Sequence, residues 1–266
     1  MPPAWIAPAA AEAHRLGLHV HGHVPAGMRP LDAVRASYDE VTHINFIMMQ
    51  AMPQDVVDKS NTVARLEGPA KCGKDVELDA PAMKAFYAEM ATRHTIIDPT
   101  LTVWEPLMTS DGIAMAPEYA PFAEIAPPSV ARSWKTGGYP LFGGVTRDDF
   151  RKSFAKMIGL VGKLHQAGIS IVAGTDGSGL ELARELELYQ QAGFTNDEAL
   201  QTATIIPARM TGMHDRTGSI APGKTADIII VVDGDVSKIL LTCATSTLSS
   251  STATGSMVRR CDKHAA

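Results

Sequence analysis

Ile169-Ser170-Ile171-Val172-Ala173-Gly174-Thr175-Asp176-Gly177 is a short apolar run that breaks off at a carboxylate set among glycines. A run of this length and composition reads as a buried strand. Before it, Phe150, Phe154, Met157, Ile158, Val161 and Leu164 fall on one stripe of a helix over residues 147–167, which Gly168 stops. After it, residues 180–192 read as another helix, closed by Gly193. The carboxylate therefore sits where a strand hands over to a helix. In a barrel of parallel strands that position is the C-terminal mouth, where such folds place their chemistry.

The same grammar recurs upstream. Strands are expected over residues 18–24, 40–46 and 95–101, and helices over residues 9–16, 30–37 and 80–93. In the last of these helices Met83, Phe86, Tyr87 and Met90 keep the spacing of one face. Downstream, Thr195-Asn196-Asp197-Glu198 reads as a capping box opening a helix to about residue 205. A short helix over 207–213 and a last strand over 226–232 follow. Alternating apolar strands and helices predict an α/β fold with a parallel sheet covered by helices. Residues 48–76 give mixed helix and loop signals. Residues 106–147, rich in Pro, Gly and Ala, are too long for a plain connection and read as a lid or active-site loop. With it, Trp104, Tyr119, Trp134 and Tyr139 are candidate pocket walls.

Composition narrows the function classes. The 266 residues carry a formal net charge of −5, which offers no electrostatic case for nucleic acid or an anionic membrane surface as partner. Apolar stretches such as residues 228–232 are too short to span a bilayer. Three cysteines, with no C-x-x-C pair, predict no disulfide framework. The first residues lack a basic segment followed by an apolar one, so no signal peptide is visible and a cytoplasmic setting is the default expectation.

Two histidines occupy positions equivalent to Asp176. His23 lies in Gly22-His23-Val24-Pro25 and His43 in Val41-Thr42-His43-Ile44, each behind an apolar run. Two imidazoles and a carboxylate are a ligand set suited to a hydrolytic divalent metal. Plainer readings stand beside it. Asp176 also suits an N-cap, and histidine is a common neutral filler. Strand alternation places His19, His21 and His23 on one face, an H-x-H pattern used twice. His14, His94, His165 and His214 read as structural, as does Arg209. Glu181, Glu185 and Glu187 read as a solvated helix face, and Cys72 lacks a base partner in sequence.

Ala203-Thr204-Ile205-Ile206-Pro207-Ala208-Arg209 and Thr217-Gly218-Ser219-Ile220-Ala221-Pro222-Gly223-Lys224-Thr225-Ala226-Asp227 resemble the C-terminal signature of the amidohydrolase superfamily, in its imidazolonepropionase-like and Xaa-Pro dipeptidase-like branch. The segments holding His23, His43, Asp98 and Asp176 match the same branch in the same order, so the resemblance runs from about residue 8 to about residue 238. It implies a (β/α)8 TIM-type barrel with His23 and His43 as metal ligands after strands five and six. Asp176 would follow strand eight as metal ligand and general base. It also implies a divalent metal, most commonly zinc, and a small-molecule or dipeptide-like substrate cleaved at an amide, peptide or cyclic amide C–N bond. His19 and His21 receive no ligand role.

The resemblance covers only strands five to eight. Residues 1–215 are expected to form the C-terminal half of the barrel and residues 216–240 part of a small β-domain. Residues 241–266 are atypical: ten of the fifteen residues from Thr242 to Ser256 are Ser or Thr. Codons allowed from Ile239 onward can be read in a second frame as a strand-and-turn pattern, so a frameshifted tail is expected. The family's first-strand H-x-H pair and fourth-strand bridging residue would lie upstream of Met1. Two rival readings follow: a non-catalytic remnant that needs its missing half, and an α/β binding module with incidental histidines. Exposed edges of a half barrel predict self-association.

Overall fold

The computed structural model describes residues 1–135, 137–230 and 248–250. At its centre lies a four-stranded sheet, β1 (His21–Gly22), β2 (Glu40–Thr42), β3 (Ile96–Asp98) and β4 (Ser170–Ile171), in that order and all parallel. The register sets Gly22, Val41, Ile97 and Ile171 side by side. Val41 and Ile97 are wholly buried and Ile171 nearly so, and this row belongs to the main core. Alternation puts His21, Glu40, Ile96 and Ser170 on the opposite face.

Parallel pairing requires a crossover between strands, and helices supply each one. Helix α1 (Ile6–Arg15) precedes the sheet, and α2 (Pro30–Arg35) joins β1 to β2. Between β2 and β3 come α3 (Ile44–Met48), α4 (Gln54–Asp58), α5 (Ala64–Cys72) and α6 (Pro81–Thr92). Between β3 and β4 come α7 (Leu101–Thr109), α8 (Pro128–Ser133) and α9 (Arg147–Gln166). After β4 follow α10 (Leu182–Gln191), α11 (Asn196–Thr202) and α12 (Ile205–Met210). The result is the α/β architecture expected of part of a (β/α)8 barrel.

The amphipathic stripes do what their spacing implies. Met83, Phe86, Tyr87 and Met90 of α6 are buried, as are Phe150, Phe154, Met157, Val161 and Leu164 of α9, with Ile158 packed partly against the same core. The Thr195 hydroxyl accepts from the Glu198 amide, and the Glu198 carboxylate accepts from Thr195 N, so the capping box forms as read. A second box, Thr146 with Asp149, opens α9.

The strands are shorter than the apolar runs suggested. Residues 43–46 do not extend β2. The chain reverses at His43, with φ +67°, and Ile44–Met48 turn into a helix buried on every side. A continuously apolar run suits either element, and here the reversal decides for helix. Thr100, with φ +48°, ends the extended path behind β3 in the same way, and Asp176, with φ +50°, lies beyond β4. The strand over 18–24 reduces to His21–Gly22, with Leu18 exposed. Over 226–232 a strand forms at Ile228–Ile230 (β5), antiparallel to Leu248–Ser250 (β6). The rest of the expected atypical tail, and its frameshift reading, lie outside the described residues.

Candidate functional site

The sheet's C-terminal mouth gathers the residues singled out by the sequence. His23, the residue directly after β1, packs at a tilt against Phe46 with ring centroids 4.7 Å apart and stands 4.8 Å from the ring of His43. His43 Nε2 lies 3.9 Å from Asp176 Oδ2. His43 is 15% exposed and Asp176 63%, so the imidazole forms the floor and the carboxylate the rim. The backbone holds both strand ends together: His43 N donates to the Asp98 carbonyl at 2.7 Å and Ile44 N to the Pro99 carbonyl at 2.9 Å.

The tautomer of His43 follows from its neighbours. Thr100 Oγ1 lies 2.6 Å from His43 Nδ1 and gives its own proton to the Pro99 carbonyl at 2.8 Å. The hydroxyl can therefore only accept from the ring, so Nδ1 carries the proton and Nε2 keeps a free lone pair facing Asp176. Burial, and then the neighbouring His23, hold the His43 pKa down to about 4. Burial and then Arg65 lower that of His23. Both rings are thus neutral near pH 7, the form in which imidazole binds a metal or takes a proton. Positive φ at His43, Thr100 and Asp176 places three strained non-glycine residues around one mouth, and such strain clusters at functional sites.

Two carboxyl groups complete the electrostatics. Asp98 ends β3, and its Oδ1 is buried without a partner among the described residues. Burial, then Glu185, Glu40 and Asp176, push its pKa up to about 7, against the pull of the Gly174 amide. A side chain at position 174 would collide with that carboxyl group, so the glycine there is a packing requirement. Glu185 of α10 is wholly buried and accepts from the Leu101 and Thr102 amides at 2.9 and 2.8 Å. It caps the start of α7 from another element, where Thr100 provides no side-chain cap.

Several expectations need correction. Glu181, Glu185 and Glu187 do not form a solvated face: Glu181 is 4% exposed and Glu185 0%, and Arg184 holds Glu187 at 2.7 Å. Their burial comes from packing against α7 and the segment before α8, which local spacing does not encode. His19 and His21 do not join His23. His19 Nε2 pairs with Glu40 Oε2 at 3.0 Å, and the His19 and His21 rings are 6.0 Å apart. His14 pairs with Asp39, and His165 stacks on Phe194, as structural histidines would. Burial raises the Cys72 thiol, which disfavours a nucleophile there. Of the candidate pocket walls, Tyr119 and Trp134 line a cavity beside Asp176, whereas Trp104 is core and Tyr139 bonds to Glu67. The roles of Asp98, Thr100 and Glu185 escaped sequence reading. The first two lie in the strand-end segment Ile97-Asp98-Pro99-Thr100-Leu101, the same kind of position as His43, and that is the signal that could have found them.

The donor chemistry fits a divalent metal in kind: two neutral imidazoles, an exposed carboxylate and an unpaired carboxyl oxygen on Asp98. It falls short in number. Among the described residues no group of three His, Cys, Asp or Glu side chains converges tightly enough to hold a metal ion.

Residues 141–254 match the amidohydrolase family model. A 5-methylthioadenosine/S-adenosylhomocysteine deaminase of Symbiobacterium thermophilum is 35% identical over 86 residues, 27% of this chain and 20% of that protein. Among solved structures, a Xaa-Pro dipeptidase with bound methionine aligns at TM-score 0.61 and 16% identity, over 97% of this chain and 49% of the other. A putative prolidase from Bifidobacterium longum aligns at TM-score 0.56 and 20% identity, over 96% and 51%. An A. niger ochratoxinase aligns at TM-score 0.56 and 15% identity, over 93% and 43%. At these identities the likeness is one of fold, and the chain spans about half the length of the structures it matches. The match to the amidohydrolase family model over residues 141–254 thus falls on a chain that is similar in fold to a Xaa-Pro dipeptidase and to other amidohydrolases.

Proposed function

We propose that this chain belongs to a hydrolase of amide-type carbon–nitrogen bonds, with β1 to β4 standing as strands five to eight of a (β/α)8 barrel. His23, His43 and Asp176 are its metal-facing residues and Asp176 its general base. The observation that carries this reading is the His43 arrangement: Nδ1 spent on Thr100, with Nε2 free and 3.9 Å from Asp176. When bound, a divalent metal, zinc by the preference of such donors, supplies an acidified water and a polarised scissile carbonyl.

The chain's own residues account for the rest. Asp176, exposed at the rim, removes the proton from the attacking water as its oxygen bonds to the carbonyl carbon. It returns that proton to the nitrogen as the C–N bond breaks. Thr100 keeps His43 in one tautomer throughout. The substrate is small or dipeptide-like, a reading supported by the methionine bound to one structural neighbour. Residues 1–215 carry the barrel part; of the companion β-domain expected over 216–240, residues 231–240 lie outside the described residues.

The shortfall in converging donors favours a second reading, a chain that binds metal weakly and hydrolyses nothing until a companion half completes the site. Metal analysis of the purified protein, with hydrolysis of amides and dipeptides, separates the two. About one zinc per chain, with hydrolysis abolished in Asp176→Asn, supports the active hydrolase. Metal without hydrolysis supports the incomplete one. No metal, and no effect of His23→Ala or His43→Ala, sinks both in favour of an α/β binding module.

A further inference from the structure

A cavity of about 300 Å³ opens beside Asp176. Its walls come from the first turns of α7, the segment around residues 116–119, the end of α8, and residues 175–181. Three carboxyl groups line it, Asp176, Glu118 and Glu181, and no lysine, arginine or histidine is among its lining residues. Arg184, whose charge acts on Glu118, is already engaged. It makes a two-pronged pair with Glu105 at 2.8 and 2.7 Å and holds Glu187 at 2.7 Å.

Glu118 is the telling member. It is 4% exposed, it lines the cavity, and its Oε2 has no hydrogen-bond partner among the described residues. A buried carboxyl oxygen left unpaired is costly, and such a group in a cavity wall marks a place for a donor. Glu181 is held in place beside it. The Tyr119 hydroxyl donates to Glu181 Oε1 at 2.7 Å and the Ser178 hydroxyl donates at 3.1 Å. Tyr119 in turn stacks on Trp134, with ring centroids 4.8 Å apart and planes 9° from parallel. The cavity thus offers a flat aromatic wall, an oriented carboxylate and an unpaired buried acceptor. Aromatic faces and carboxylates both attract a planar or tetrahedral nitrogen cation, and neither favours an anion. The acidic groups do not close into a metal cage.

We propose that this cavity is a subsite for a protonated nitrogen group, an ammonium or amidinium-type cation, carried by the substrate next to the bond that is cleaved. That the cation belongs to a substrate rests on the hydrolase reading above. The subsite itself rests on Glu118, Glu181, Tyr119 and Trp134.

The test uses the full chain and two probes of nearly equal shape, benzamidinium and neutral benzamide, with affinity read by calorimetry or ligand-observed NMR. Benzamidinium is expected to bind about tenfold tighter or better, and Glu118→Gln and Glu181→Gln are each expected to bring the ratio toward unity. Tyr119→Phe, which keeps the ring stack but releases Glu181, is expected to lower the ratio with the fold intact. Equal affinity for the two probes in the unaltered protein overturns the subsite, as does a ratio that none of the three variants moves. A panel of amides and dipeptides with and without a cationic group separates this from the function. Hydrolysis with no cation preference refutes the subsite and leaves the hydrolase reading standing. Cation selectivity without hydrolysis of any member leaves the pocket and removes its assignment to a substrate.

Discussion

Thr100 shows how much of the site depends on one hydroxyl. It sits at φ +48°, is 1% exposed, and ties His43 Nδ1 to the Pro99 carbonyl through a single oxygen. Without it, His43 could rotate or change tautomer, and its Nδ1 proton would be left buried and unpaired. Groups that orient a ligand histidine in this way typically control metal affinity or activity by about 10- to 100-fold. Thr100→Val, which keeps the branched shape, is therefore expected to weaken zinc binding, and any hydrolysis, by about that factor. Thr100→Ser, which restores the hydroxyl, should recover most of it. Zinc titration of the three proteins decides, with melting curves to confirm folding. Affinity in Thr100→Val equal to that of the unaltered chain would remove Thr100 from the site. The sequence assigned a role to His43 and Asp176 but none to Thr100 or Asp98, although they end a strand as His43 does, because strand position alone does not say what a side chain will face.

At the scale of elements, α10 carries the clearest lesson and a measurable consequence. Helices α6 and α9 were legible because their burial follows their own periodicity. The span of α10 was legible too, but its buried face was not, because Glu185 points into the core to cap α7 and Arg184 reaches Glu105, which is 79 residues away in the chain. Local spacing makes such glutamates look solvated, and only the packing of α10 against α7 reveals otherwise. Burial raises the Glu185 pKa from 4.5 to about 7, although the Leu101 and Thr102 amides pull it down. Between those two values the folded chain keeps a proton that the unfolded chain has released. Stability from this group is therefore highest below pH 4.5, falls as pH rises toward 7, and levels off above. The full loss is on the order of 3 kcal/mol. Glu185→Gln cannot titrate. Its unfolding free energy, measured by denaturant at pH 5 and pH 7.5, should change less across that interval than that of the unaltered chain. Parallel profiles would show that Glu185 is already ionised at pH 5 in the folded state.

The whole molecule presents a sheet that stops at two edges. β1 and β4 each have a strand neighbour on one side only among the described residues, so neither margin is closed by a further strand. On the face opposite the helices, His21 and Ser170 are exposed, a row that a closed barrel would enclose. In the chain ahead of β1, Trp5, Leu16 and Leu18 are 63%, 56% and 57% exposed. An open parallel edge flanked by apolar side chains is a template for pairing with another chain. The protein is expected to self-associate at micromolar concentration, giving a solution mass above that of one chain by light scattering. Leu18→Lys, which places a charge just ahead of β1 without touching the core, should shift the distribution toward the monomer. The same substitution should leave the melting temperature nearly unchanged, since Leu18 buries little. A single monomeric species with a sharp cooperative melt in the unaltered protein would mean that the sheet margins are already covered, and would overturn the open-edge account of this fold.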